Sequence, residues 1–394
     1  MRRLGGLSCL VLAVLLLLAA CSSGKTTTQD FVFGVVMVGP SQDHGWSEAH
    51  YTAGQYLEKQ LRGAKMLWVD KLDPADRPGV TLDQVVSDMV GKGARLVLTT
   101  SDDFQVDTDA VARKYPKVTF VNVSGDHVLT GAAPANVGNL MARIETVKGI
   151  AGCAAALATQ TGKIGYVGPL INPETRRIAS AAYLGARYCY QKYRGMDPDT
   201  LRFKVEWIGF WFNIPGQTQD PVKVSNDLID QGYDVLLSGL DTIEALQVVV
   251  DREAKGERVY TVPYLFNEKC APAPRVCLGV PFVNWGPSYL KIARQVKDGS
   301  WKRSWDWVGQ ADWKSITNPD SSPVGFAFGP ALRSEDRAKV QQFIDEVASD
   351  KVTLFQGPLR YNDGTAFLAA GQKATDRQVW YLPKLVQGIE GRNE

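Results

Sequence analysis

The chain predicts an α/β fold built on parallel sheets, and three observations carry that prediction. Short apolar runs alternate with helical stripes along most of the 394 residues. The runs are apolar throughout instead of every second residue, the pattern of strands buried on both faces. Polar or aromatic residues stand at one strand end after another, where open α/β sheets hold their ligands.

The first strand is Phe31 to Val38, followed by the turn Gly39-Pro40-Ser41-Gln42-Asp43-His44-Gly45-Trp46 and a helix ending near Arg62-Gly63. Ala64–Asp70 is the second strand. Leu82, Val85, Val86, Met89 and Val90 mark a helical stripe, which Gly91-Lys92-Gly93 ends. Arg95–Thr100 is a buried strand with Ser101-Asp102-Asp103-Phe104 at its carboxyl end; a helix over 107–115 and a strand over 117–123 follow. The second set opens with a helix over 141–159, rich in Ala and Gly and suited to close packing. Strands over 163–168, 203–208, 234–239 and 259–264 then alternate with helices over 172–193 and 221–231 and one ending at Lys255. Pro173 is acceptable in a first turn. Val276–Phe282 is a further strand and 289–297 a further helix. A Trp-rich loop follows, with Trp301, Trp305, Trp307 and Trp313, then an amphipathic helix over 334–349. The tail carries Leu354–Leu359 and a turn at Asp363-Gly364.

The N-terminus is set apart from this fold. Met1-Arg2-Arg3, the apolar stretch Leu10–Ala20 and Leu18-Ala19-Ala20-Cys21 have the form of a bacterial signal peptide ending in a lipobox. Cleavage would leave Cys21 as a lipid-carrying first residue, tethered by 22–28. Without Arg2 and Arg3 the 44 basic residues become 42, against 42 acidic ones, and the near-neutral balance argues against a nucleic-acid partner. No other run is long enough to span a bilayer, so the expected protein is anchored to a membrane surface and exported. Setting aside Cys9 and Cys21 leaves Cys153, Cys189, Cys270 and Cys277, for which an oxidising compartment makes disulfides the default. Three pairings exist. Cys270–Cys277 brackets a turn-like loop and is preferred, which leaves Cys153–Cys189 by arithmetic.

Motifs for catalysis are missing: there is no Gly-x-Ser-x-Gly elbow, phosphate loop or His-Glu-x-x-His helix. Gly165-Tyr166-Val167-Gly168 lacks the third glycine of a dinucleotide fingerprint, and no histidine accompanies the cysteines as in a metal site. No enzyme activity, metal or cofactor is expected. The strand ends instead offer Asp43 and Trp46, Ser101 to Phe104, Asn122, Phe210 to Asn213, Asp241 and Asn267. Two such edges facing each other make a cleft, with aromatic faces to sandwich a flat ligand and carboxylates to accept its N–H or O–H groups. The indole of Trp46, in a polar turn, is assigned to the ligand. Trp207, Trp301, Trp305, Trp307 and Trp313 are assigned to packing. For Trp211, Phe212 and Trp285 both readings stand.

The order and spacing of several stretches resemble the basic membrane protein lipoproteins, substrate-binding proteins of ABC importers, and within them the purine or nucleoside group. These stretches are Gly39-Pro40 with Asp43-His44-Gly45-Trp46-Ser47 and His50, Lys163–Gly168, Asn172–Arg177, Leu184–Arg187, Trp211-Phe212, Leu228–Val235, Asp241-Thr242, Val283–Tyr289, Gly299-Ser300-Trp301 and Phe355–Pro358. The resemblance covers nearly all of the mature chain. It implies a type I periplasmic-binding fold, two doubly wound parallel-sheet lobes joined by a three-crossing hinge, with a small-molecule ligand held between them. The expected division is 1–20 signal peptide and 21–29 tether, with 30–139 plus about 268–315 as N-terminal lobe and 140–267 plus about 316–394 as C-terminal lobe. Asp43, Trp46, Trp211 and Asp241 are carried over as the leading ligand residues, with Ser101, Asp103, Phe212, Asn267 and Trp285 beside them. The function implied is capture of a purine base or nucleoside by a monomeric lipoprotein facing the periplasm or cell exterior, and delivery to ABC permease subunits. A sensor of the same fold, or a protein for another heterocycle such as riboflavin or for a sugar, is the alternative. Two departures stand out: Asn213-Ile214-Pro215 replaces the usual Asp-Pro after Trp-Phe, and Ser101-Asp102-Asp103-Phe104 is unusually acidic. Extra carboxylates would suit a ligand with more donors.

Overall fold

The computed structural model describes residues 30–310, 312–318 and 321–394. The expected signal peptide, Cys21 and the whole tether lie outside them. The chain runs β1 (Phe31–Val36), α1 (Trp46–Gln60), β2 (Ala64–Val69), α2 (Leu82–Gly91), β3 (Ala94–Thr99), α3 (Gln105–Lys114), β4 (Thr119–Val123), α4 (His127–Thr130) and β5 (Val137–Ala142). It continues through α5 (Ile144–Ala158), β6 (Lys163–Gly168), α6 (Pro173–Arg194), β7 (Arg202–Trp207), α7 (Pro221–Asp230), β8 (Val235–Ser238), α8 (Glu244–Ala254), β9 (Tyr260–Val262) and β10 (Gly279–Val283). The remainder is α9 (Gly286–Asp298), β11 (Trp305–Val308), β12 (Val324–Phe328), α10 (Ser334–Ala348), β13 (Leu359–Arg360), β14 (Ala366–Leu368), α11 (Asp376–Trp380) and β15 (Ile389–Glu390). Among the described residues no helix is long and apolar enough to cross a membrane.

Two parallel sheets result, in the orders β11-β5-β4-β3-β1-β2 and β15-β7-β6-β8-β9. The expected α/β class with parallel sheets is therefore what the chain adopts. In each order the chain reverses direction across the sheet beside its first strand, the switch point at which such sheets bind ligands. Apolar residues cover both faces: Phe31, Phe33 and Val35 pack with α1, whereas Val36, Val97 and Phe120 pack with α2 and α3. In the second sheet Ile164, Phe203 and Val235 pack with α5 and α6, and Val167 and Leu236 with α7 and α8. The antiparallel pair β10–β12 extends the second sheet, through bridges from Thr261 to Cys277 and from Leu265 to Phe282.

Local chemistry fixes the helix ends that reach the strand tips. Thr81 and Gln84 form a capping box on α2, as Asn172 and Thr175 do on α6, where Pro173 takes the first position. The packing of α5 on α6 is as close as the Ala/Gly composition predicts. A Cβ on Gly152 would stand 1.8 Å from the Ala182 carbonyl oxygen, and one on Gly185 2.0 Å from that of Gly149. Beside this contact Cys153 and Cys189 form a disulfide, with Cα atoms 5.1 Å apart; Cys270 and Cys277 form the other.

Two elements differ from the sequence reading. Residues 137–142 form a strand, and the helix expected from 141 starts at Ile144. Every residue of β5 is buried, so its apolar run merges into the helical stripe with only Arg143 between them. The Trp-rich loop also contains a strand, β11, which adds to the first sheet beside β5.

Candidate functional site

A small cavity lies where the loops at the carboxyl ends of both sheets meet. It is lined by Val38, Trp46, Ser101, Asp102 and Ser124 from the first sheet's loops and by Glu174, Trp211, Asp241 and Tyr264 from the second's. The lining follows the strand order: β1, β3 and β4 on one side, β6, β7, β8 and β9 on the other. The two sets of loops touch. A Cβ on Gly45 would stand 1.6 Å from the carbonyl oxygen of Asp241, so only glycine allows the turn before α1 to lie against the loop after β8.

Of the nine ligand residues expected from sequence, Trp46, Ser101, Trp211 and Asp241 line the cavity, and the other five do not. Asp43 is occupied otherwise. Its Oδ1 accepts the backbone N–H groups of Gly45 and Glu48 (2.8 and 3.0 Å) and its Oδ2 that of Ser47 (2.9 Å), so it ties off the start of α1. Asp103 points outward while Asp102 faces in, because a tight 3₁₀ turn over Asp102–Phe104 sends adjacent side chains apart. Its start is fixed by Ser101, whose Oγ accepts from the Asp103 N–H at 3.2 Å. Phe212 packs edge-on against Phe210 at the rim. Asn267 opens a 3₁₀ turn outside the lining.

Trp285 stands one layer behind Trp46, with its indole 1% exposed. The two rings meet edge-on at 5.6 Å, and the imidazole of His50 stacks on Trp285 at 4.8 Å. His50 holds the Tyr289 hydroxyl at 2.6 Å, and burial pushes its pKa far below the ordinary histidine value, so it is neutral at pH 7. The indole N–H of Trp46 donates to the Thr100 carbonyl at 2.6 Å. Trp46 is thus both a cavity wall and a core residue.

Sequence reasoning missed Val38, Ser124, Glu174 and Tyr264, and of the strand end Ser101 to Phe104 it carried forward Asp103 where Asp102 lines the cavity. The strand-end rule that found Asp241 also points to Ser124 after β4 and to Tyr264 after β9. Glu174 sits in the first turn of α6, directly after β6.

Three carboxyls share the cavity, and each binds its proton more tightly than usual. Burial and the neighbouring Asp103 raise Asp102 to about 6. Burial raises Glu174 to about 7 against the pull of Arg177, with Asp102 and Glu145 adding to the rise. Burial and the charge of Asp43 push Asp241 well above its ordinary value, although Lys269 opposes them. The Asp241 side chain has no hydrogen-bond partner among the described residues. Behind the wall, Lys148 is fully buried, donates to the Ser238 carbonyl at 2.5 Å and lies 3.5 Å over the ring of Tyr264. Among the described residues no cluster of His, Cys, Asp or Glu is arranged to hold a metal ion. Aromatic faces, hydroxyls and acceptor oxygens around an enclosed space are equipment for holding a flat, donor-rich molecule.

The architecture, a type I periplasmic-binding fold, recurs in solved structures that include solute-binding proteins of ABC transporters. One from Conexibacter woesei superposes with a TM-score of 0.60 at 18% identity, covering 82% of this chain and 98% of that one. One from Aeropyrum pernix gives 0.62 at 15%, over 84% and 93%. The family model Bmp, described as ABC transporter substrate-binding protein, PnrA-like, matches residues 31–205. A purine-binding protein of Brucella abortus is 28% identical over 91% of this chain and 93% of its own length. A Haloferax volcanii protein named for glucose binding by an ABC transporter is 25% identical over 94% and 82%.

Proposed function

We propose that this protein is a lipid-anchored solute receptor that captures a purine base or nucleoside by closure of two lobes and delivers it to an ABC importer. The observation that carries the reading is the cavity itself. Indole and phenol rings of Trp46, Trp211 and Tyr264 stand among the acceptors Asp102, Glu174 and Asp241, at the meeting point of two sheets. A planar base stacks on such rings, and its N–H groups, or the hydroxyls of a ribose, give the Asp241 carboxyl a partner it lacks among the described residues and add to those of Asp102 and Glu174. The name of the Brucella relative supports the same ligand class.

The lobes of this reading are about 31–142 with 285–308 and about 144–283 with 316–394, joined at three crossings. Residues 268–283 go with the second lobe here, unlike in the sequence reading, because β10 is bonded to β12 and bridged to the end of β9. Ligand docks on one lobe and gains contacts with the other only on closure, which shifts the population to the closed form. Cys21 would hold the body at the membrane, and Cys21→Ser should release it to the soluble fraction.

Calorimetric titration with adenine, adenosine, guanosine, riboflavin and glucose tests the ligand. Heat with a purine or its nucleoside and none with glucose is expected. Heat with glucose alone would replace the ligand by a sugar, the second reading that the Haloferax relative supports, and would leave the transport class standing.

A further inference from the structure

The sequence motif Asn172–Arg177 contributes Glu174 to the cavity, but its last residue points away from it. Arg177 is 2% exposed and lies between the cavity and the crossings that join the lobes. Its Nη2 is 3.7 Å from Glu174 Oε2, its Nε donates to Glu145 in the first turn of α5, and its Nη1 donates to the Trp380 carbonyl at 3.3 Å. The guanidinium lies 4.3 Å over the ring of Trp380 and 5.6 Å from that of Trp307.

Trp380 belongs to a strap, residues 376–381, carried by the C-terminal tail of the second lobe but fastened to the first. Its ring packs edge-on against Trp305 and Trp307 of β11 at 4.9 and 5.2 Å. The Tyr381 hydroxyl donates to Asp126 at 2.7 Å, beyond the end of β4. Asp376 accepts both arms of Arg143, the residue at the crossing between β5 and α5, at 3.0 and 2.5 Å. Arg143 in turn donates to the Trp307 carbonyl.

We propose that Arg177 is a positioning residue that links the state of Glu174 in the ligand cavity to the crossing and to the C-terminal strap. The strap is then a latch between the lobes. The polar satisfaction around Arg177 fits a part with two settings: its Nη2 and Glu145 Oε2 are both buried without a hydrogen-bond partner. A guanidinium with one arm in an ion pair but not hydrogen-bonded, beside two carboxylates, has a second arrangement available. Because a half-satisfied buried network is costly, whatever moves Glu174 changes which arrangement wins. Ligand that takes hold of Glu174 alters the pull on Arg177, and Arg177 holds the strap by its Trp380 carbonyl and ring.

The inference rests on the cavity being the ligand site, but its test does not need ligand. In the empty full-length protein, hydrogen–deuterium exchange of residues 376–381 is measured for Glu174→Gln in two backgrounds. With Arg177 present, the substitution is expected to change strap exchange about fivefold or more. In the Arg177→Lys background, which keeps the charge and loses the fork, the change should fall below about twofold. A residue that merely filled space would give additive effects. An unchanged strap, or an equal change in both backgrounds, would overturn the proposal. Coupling is reciprocal, so Tyr381→Phe must change exchange across 172–176 by a similar factor. That variant decides the matter if Arg177→Lys does not fold, and no change there would refute the link. Failure to bind purines would remove the ligand reading and leave this result intact.

Discussion

Trp46 and Asp241 make opposite demands on the fold, and substituting each should separate binding from stability differently. Trp46 is 8% exposed, joined to Trp285 and His50 by ring contacts and to Thr100 by its N–H. Trp46→Ala should therefore abolish binding and also cost the empty protein about 3–5 kcal/mol, read from chemical unfolding. Asp241 is buried, lines the cavity and has no side-chain hydrogen-bond partner among the described residues. Asp241→Asn should weaken ligand binding about tenfold or more while leaving the empty protein at least as stable, since a desolvated carboxylate is removed. A loss of stability there, or unchanged affinity, would take Asp241 out of the site. At this scale the sequence was half legible. Residue type and strand-end position pointed to Trp46, Ser101, Trp211 and Asp241, which line the cavity. They also pointed to Asp43, whose oxygens accept backbone N–H groups outside the lining, and to Asp103, because the turn that makes Asp102 the inward carboxyl is not visible in the sequence.

Among the elements, the helices were easier to read than the strands that feed the crossings. Composition alone marked α5 for close packing, and the reason is backbone against backbone at Gly152 and Gly185. Gly152→Ala puts a methyl where the Ala182 carbonyl oxygen stands, and neither helix can yield without breaking its own ladder. The expected cost is about 1–3 kcal/mol, seen as a lower unfolding midpoint with an unchanged far-ultraviolet spectrum. The Cys153–Cys189 disulfide ties the same helix pair, so this loss should grow when the protein is reduced. β5 was hidden for a physical reason. A strand buried on both faces and a helix buried on most of its surface are both continuous apolar runs, and Arg143 gives no turn signal between them. β11 was hidden because two bulky tryptophans in four residues look like packing residues in any conformation. β11 nevertheless supplies Trp305 and Trp307, against which the Trp380 ring packs.

For the molecule as a whole, the cavity collects acids that hold their protons, and this sets how stability and binding respond to pH. Glu174 titrates near 4.5 when exposed and at about 7 in the fold, and Asp102 moves from 3.8 to about 6. Between those limits the folded state holds more protons than the unfolded one. Stability from these groups is therefore present below the unfolded values and lost as pH rises through the folded ones. The melting temperature of the empty protein should fall between about pH 5 and about pH 8, and Glu174→Gln should flatten that slope. Ligand reverses the preference if it donates hydrogen bonds, because a donor favours the ionised carboxyl. Binding should then release protons and strengthen as pH rises through about 6 to 7, a dependence that calorimetry in buffers of different ionisation heat measures directly. Affinity that instead rises toward acid pH would mean that protonated Glu174 and Asp102 donate to the ligand. A purine or nucleoside held by its N–H and O–H groups would then give way to a ligand rich in acceptors.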